Sequence, residues 1–259
     1  MSNGAIKLQP REPNTPVLTN VLHSPKRVRV KFAGETVADS REALILRSNQ
    51  FLPIYFFPKS SVRTGLLDTE PTRSKHELGF EVLNWGLTIG DRTSLEAAWS
   101  PVEIDDPALQ ILKDHIAFRW KSVDQWFEED EEIFVHPRDP YARVDTISSS
   151  SHLQVKLNGE VIADTTNAVF LFETHLPTRY YIPPSDIRMD TLTVSSSTSR
   201  CPYKGIASYW SYSPEIGEDG ADVAWSYEAP LPEIPKIKGL IAFYPQAVDE
   251  IRVDGKPVS

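Results

Sequence analysis

VKFAGETVADS at residues 30–40 and VKLNGEVIADT at residues 155–165 are versions of one segment, 125 positions apart. The same offset pairs Ala43 with Ala168, Tyr55 with Tyr180, Pro58 with Pro183, Arg63 with Arg188, Leu67 with Leu192 and Trp85 with Trp210. EAAWS (96–100) and DVAWS (222–226) match one residue out of step, and Ala117-Phe118 against Ala242-Phe243 and Val123-Asp124 against Val248-Asp249 restore the offset. A repeat this long means two copies of one folding unit, so whatever folds must fold twice.

Each copy reads as β-structure. RVRVKF (27–32) alternates apolar and basic residues with the period of a half-buried strand. Asn158-Gly159 separates two such runs, and this pair suits the two positive-φ positions of a tight type I′ hairpin. IRVDGKPV near the C-terminus predicts another hairpin. The 21 prolines weigh against helix, because proline inside a helix removes a hydrogen bond and clashes with the preceding turn. PALQILKDHI (107–116) alone has a helical pattern, with proline at a permitted first-turn position. The expected class is mainly β, with tandem domains of antiparallel sheets. The expected boundaries are an N-terminal arm at 1–24, a divergent first copy at 25–126, an acidic and proline-rich strap at 127–150, and a second copy at 151–259.

Composition narrows the chemistry. A net charge of −9 disfavours general attraction to nucleic acid or anionic membrane, both of which need clustered lysine and arginine. The opening segment has no apolar core of signal-peptide length and no stretch approaches a membrane span, so a cytoplasmic protein is expected. One cysteine, Cys201, excludes an internal disulfide and a Cys-rich zinc site. Neither a phosphate loop of the GxxxxGK[ST] type nor an HExxH or GxSxG motif is present, so no metal or nucleotide cofactor is expected.

Several segments taken together resemble the tandem members of the domain-of-unknown-function family four-two-seven, which also carries a nucleotidyltransferase-like label. They are NGEVIADT, ETHLPTRYYIPPSDIRMDTL, TSRCPYKGIASYW, DVAWSY and GLIAFY in copy two, with EEDEEIFVHPRDPYARVDT between the copies. The resemblance implies a β-tent-like fold, in which two antiparallel sheets lean together over a concave site. Some β-tent relatives hold a structural zinc with cysteine pairs, which this chain lacks, and some grip ligands in a cage of tryptophans. The CPYKG signature stands only in copy two, where Cys201, Tyr203, Lys204 and Gly205 face His76, Leu78, Gly79 and Phe80 of copy one. Copy two is therefore expected to carry the working surface.

The candidates follow from residue type. Lys204 beside a glycine can bind a carboxylate or exchange a proton if desolvated. Cys201 is more often a packing residue than a nucleophile. Trp210, Trp225, Tyr227 and Tyr181 offer flat apolar faces with polar edges for an organic ligand. Glu173 and His175, His115 of copy one, and the strap residues His136, Arg138, Asp139 and Tyr141 complete the ionisable set, a histidine near a carboxylate being suited to proton transfer. Arg63 and Arg188, which follow matching turns, are expected to tie down a loop carboxylate. The acidic run Glu128–Glu132 reads as a solvated face.

The leading expectation is a metal-independent acid/base enzyme of isomerase, lyase or cyclase type. It acts on a small organic molecule, with Lys204, His136 and Tyr203 exchanging protons and Arg138 steadying negative charge, while Trp210, Trp225, Tyr227, Tyr181, Tyr141, Glu173 and Cys201 hold the substrate. The alternatives are a non-catalytic module binding a small molecule or peptide in an aromatic cage, and a structural interaction protein with a wide apolar patch.

Overall fold

The computed structural model describes residues 18–49, 51–76, 79–212 and 222–258. The chain divides into two units, Met1–Asp139 and Pro140–Ser259. The first contains β1 (Thr19–His23), β2 (Val28–Phe32), β3 (Glu35–Ser40), β4 (Leu44–Ser48), β5 (Ile54–Pro58), β6 (Thr72–Lys75), β7 (Glu81–Ile89), β8 (Arg92–Glu103), β9 (His115–Phe118), β10 (Gln125–Glu128) and β11 (Glu131–Ile133). The second contains β12 (Val144–Ser149), β13 (Leu153–Leu157), β14 (Glu160–Thr165), β15 (Ala168–Glu173), β16 (Arg179–Ile182), β17 (Leu192–Cys201), β18 (Gly205–Tyr212), β19 (Ala224–Ser226), β20 (Ile241–Phe243), β21 (Glu250–Val253) and β22 (Lys256–Val258).

The duplication is complete at the level of topology. A seven-stranded sheet runs β1-β4-β5-β9-β8-β7-β6 in the first unit and β12-β15-β16-β20-β19-β18-β17 in the second. A four-stranded sheet runs β11-β10-β2-β3 in one and β22-β21-β13-β14 in the other. Every ladder between these strands is antiparallel. The fold is thus mainly β, with four antiparallel sheets in two tandem halves.

The turns explain the hairpins. Asn158 and Gly159 both take positive φ, 51° and 78°, as do Asp254 and Gly255 at 50° and 75°. A type I′ turn needs this, because its twist matches that of the strands it joins. In copy one the first position is Ala33 at φ 50°, a conformation in which alanine gains nothing from a side-chain hydrogen bond. Asp124 and Asp249 brace these turns: Asp124 Oδ2 accepts from Ala33 N at 2.7 Å and Asp249 Oδ2 from Gly159 N at 2.8 Å. That accounts for the repeated Val-Asp. The repeated arginines act as expected, Arg63 pairing with Glu35 and Arg188 with Glu160.

Alternation along the strands gives each large sheet two buried faces. In the second unit Ala168, Ile182, Ala224, Ile241 and Phe243 point toward Leu153, Val155 and Ile251 of the small sheet, forming one core. Val169, Leu171, Tyr181, Trp225, Tyr227 and Ala242 occupy the opposite face, where Ile234 and Ile237 from the β19–β20 connection cover them. The first unit repeats this plan, Leu109 and Leu112 of the β8–β9 connection covering Leu44, Leu46, Phe56 and Trp99. That connection is the helical segment expected from the sequence, in the tighter 3-10 form over Pro107–Asp114, with the Asp106 carboxylate accepting from Ala108 N at 2.9 Å.

The strap is partly sheet. β10 and β11 belong to the first unit's small sheet and β12 to the second unit's large one, which leaves residues 134–143 as the connection. Of the arm at 1–24, residues 19–23 form β1 and pair with β4, while residues 1–17 lie outside the described residues, as does Leu78. The acidic run is not uniformly solvated. Glu128 is buried, held by Lys26 and by the Tyr55 hydroxyl at 2.8 Å. Strand alternation turns it inward, because Trp126 and Glu128 share the inner face of β10.

Candidate functional site

The cover-segment face of the second unit's large sheet carries a buried ion pair between Lys204 Nζ and Glu173 Oε2. Glu173 ends β15 and Lys204 lies in the turn joining β17 to β18, four strand steps away along the sheet. In a flat sheet those steps span about 19 Å, beyond the reach of the two side chains. The sheet therefore curls toward this face, and the pair lies on its concave side, the hollow into which the cover segment packs.

Local structure sets the lysine. Lys204 N donates to Cys201 O at 3.3 Å, closing the turn, and Lys204 O accepts from Leu231 N at 3.2 Å, tying it to the cover segment. Gly205 then takes φ 102°, where a side chain would also sit 3.2 Å from Ala229 O. Glycine is required by both conformation and space. Side-chain exposures of 11% for Lys204 and 8% for Glu173 mean that each charge depends on the other for its solvation.

Around the pair stand aromatic hydroxyls. Trp225 Nε1 donates to Tyr181 Oη at 3.1 Å, the two rings meeting edge to face. Burial pushes the Tyr181 phenol well above its usual range, with the Glu173 carboxylate and Cys201 adding to the shift. Burial does the same to Tyr227, reinforced by Tyr181 and Cys201, and to Tyr244, reinforced by a hydrogen bond with Tyr209. All three remain protonated at neutral pH, so none of them acts as a base. Toward solvent the hollow is rimmed by half-buried Arg179, Tyr209 and Tyr244. The Tyr244 ring lies 4.3 Å from that of Trp225, the Arg179 guanidinium stands over Trp225 at 5.7 Å, and Ser199 Oγ and Tyr209 Oη share a 2.7 Å hydrogen bond.

Six of the candidates from sequence come together here: Lys204, Glu173, Cys201, Tyr181, Trp225 and Tyr227. Trp210 does not. It lies on the sandwich face, where its Nε1 donates to Ser226 Oγ at 3.2 Å. Tyr203 is half-buried in the Lys204 turn, and Tyr141 is exposed in the connecting segment. His136 and Arg138 belong to the first unit, where His136 Nδ1 meets Pro137 O at 2.7 Å and the neighbouring Asp139 takes Arg47 at 2.6 Å. His175 is exposed at φ 68°, and His115 Nδ1 meets Ile111 O at 2.9 Å. Sequence reasoning missed Arg179. Its signal was the RYYI strand itself, whose alternation puts residues 179 and 181 on one face.

The first unit keeps the scaffold and discards the chemistry. Glu173 and Lys204 correspond to Ser48 and Gly79, Tyr181 to Phe56, Arg179 to Ile54, and Tyr227, in the stretch one residue out of step, to Pro101. His76 takes the place of Cys201 and stacks on Trp99 at 4.3 Å, its pKa lowered to about 4 by burial and by the nearby Arg119. Arg119 Nη2 donates to Asn84 Oδ1 at 2.6 Å. Among the described residues no group of three or more His, Cys, Asp or Glu side chains is placed to hold a metal ion, and no helix is long and apolar enough to cross a membrane.

No curated protein matches the chain. A family model described as Domain of unknown function (DUF427) matches it twice, over residues 20–129 and 145–254. Each match covers one set of the two sheets except the edge strand β11 or β22, with Trp99 in the first and the Lys204–Glu173 pair in the second. The chain therefore belongs to the DUF427 family, as a tandem pair of its domains.

Proposed function

We propose that the second unit is a metal-independent acid/base enzyme of isomerase, lyase or cyclase type, acting on a small organic molecule. The observation that carries this reading is the buried Lys204–Glu173 pair, because the first unit builds the same two sheets with Ser48 and Gly79 in those places. A desolvated ion pair that the fold does not require contributes little net stability, whereas it puts a proton donor and an acceptor side by side in a water-poor hollow. Lys204 supplies the proton, Glu173 accepts one, and the protonated Tyr181 and Tyr227 stabilise negative charge as it develops. Cys201 lines the site. The net charge of −9 speaks against nucleic acid or anionic membrane as partner, and the lone cysteine suits a reducing cytoplasmic setting.

Incubating the purified chain with a small-molecule cell extract and following the mixture by mass spectrometry tests this. The expected result is consumption of one compound with formation of an isomer or elimination product, lost in Lys204→Arg and Glu173→Gln. Unchanged pools with wild type overturn the enzymatic reading.

A second reading, a non-catalytic binding module, is favoured by the Trp225–Tyr244 contact and the cation above it. Under it, a ligand binds wild type and Lys204→Arg equally and is lost on Trp225→Ala.

A further inference from the structure

We infer that the ligand of the second unit's hollow is a flat aromatic or conjugated carboxylate, its acid group held by Arg179 and its ring packed on Tyr209 and Tyr244. The inference rests on the reading of that hollow as a small-molecule site and specifies what enters it.

Arg179 is set apart from its neighbours. In the same unit Arg143 has Asp145, Arg188 has Glu160 and Asp190, and Arg252 has Glu250. Among the described residues no carboxylate pairs with Arg179, whose guanidinium instead stands over the Trp225 ring. An aromatic face holds a guanidinium in place without using its N–H donors, so the fork remains free to meet a carboxylate with two parallel hydrogen bonds.

The surroundings select the rest of the ligand. Lys204 is neutralised by Glu173, whereas Arg179, among the described residues, has no carboxylate bonded to it. Tyr209 and Tyr244 are the half-buried rings beside it, and Tyr244 is backed by the buried Trp225 at 4.3 Å. A guanidinium with free N–H donors beside two half-buried aromatic rings matches a planar acid and disfavours a cation.

The test is calorimetric titration of the full-length chain at pH 7 with benzoate, cinnamate and indole-3-carboxylate, each alongside its primary amide. At least one acid is expected to bind ten or more times tighter than its amide, as loss of a charge-assisted bidentate contact costs about tenfold or more. Arg179→Gln is expected to erase that preference with an unchanged circular dichroism spectrum, and Arg179→Lys to retain part of it. The inference is overturned if no acid outbinds its amide, or if the preference survives Arg179→Gln. The two proposals fail separately. An Arg179-dependent acid preference without turnover removes only the enzyme, while Lys204-dependent turnover without acid preference removes only the carboxylate.

Discussion

Trp99 and Trp225 hold the same position in their two sheets, the first cross-strand from Ala117 and the second from Ala242. Each indole has one ring at 4.3 Å, and the two partners differ: His76 from the β6–β7 side in the first unit, Tyr244 from the end of β20 in the second. Duplication thus preserved the tryptophan and let the groups around it diverge. Glu96 and Asp222, three residues before each tryptophan, both take positive φ, at 49° and 54°. This shared irregularity is where the copies run one residue out of step.

His76 makes the first unit sensitive to acid. Its pKa is lowered to about 4 in the folded chain, against 6.5 for the free side chain, by burial and by Arg119. The unfolded chain therefore takes up a proton on this histidine below pH 6.5, while the folded chain resists until about pH 4. The resulting stability is present above pH 6.5 and is lost as pH falls through that window, by up to about 3 kcal/mol. Urea unfolding at pH 7 and pH 4.5 is expected to show a smaller pH-dependent loss in His76→Gln than in wild type. Equal losses would mean that the ring is solvated in the native state.

The Lys204–Glu173 pair predicts strong non-additivity. Removing either partner strands the other charge in a site that excludes water, at a cost of about 3–5 kcal/mol. Replacing both with apolar residues of similar shape removes the stranded charge. Thermal unfolding is expected to place Glu173→Leu and Lys204→Met each well below wild type, with the double variant above both. A double variant at the sum of the two losses would show that the pair is not coupled.

How far the molecule was legible depended on the range of the interaction. Hairpins, strand faces and the duplication follow from neighbours in sequence, such as Asn158-Gly159 or the alternation of RVRVKF, and these were readable. The hollow depends on sheet curl, which brings together Glu173 and Lys204, 31 residues apart, and no local pattern encodes that. Charge runs misled for a related reason. Glu128 opens an acidic stretch, but it also continues the inward face of β10, and the strand period outweighed the composition. Trp210 and Trp225 look equivalent as aromatic residues in β-rich segments. Only strand parity, set by the pairing of Trp210 with Ala224 rather than with Trp225, sends them to opposite faces.

Ala33 marks a place where the first copy is suboptimal. It occupies the left-handed first position of a tight turn that Asn158 fills in the second copy. Asparagine tolerates this conformation better than alanine, for which it costs about 1–2 kcal/mol. Ala33→Asn is expected to raise the unfolding midpoint of the first unit, with a gain of up to about 1 kcal/mol, and Asn158→Ala to lower that of the second by a similar amount. Chemical denaturation of both variants checks the pair, and a neutral Ala33→Asn would show that the Asp124 brace already holds the turn without strain.

Gly205 tests whether the lysine turn is as tightly specified as its geometry implies. At φ 102° a side chain is strained before any neighbour is considered, and a Cβ would also lie 3.2 Å from Ala229 O in the cover segment. That oxygen belongs to backbone anchored by the Leu231 N to Lys204 O hydrogen bond, so it has little freedom to retreat. Gly205→Ala is expected to cost about 1–3 kcal/mol in stability. It should also displace Lys204 from Glu173, lowering turnover or ligand affinity in the second unit while the first unit's acid sensitivity through His76 stays unchanged. Gly239→Ala, at φ 66° with nothing within 4 Å of the added carbon, carries the backbone strain without the collision. If the two alanine variants lost the same stability and both retained activity, contact with Ala229 would be irrelevant to how Lys204 is held.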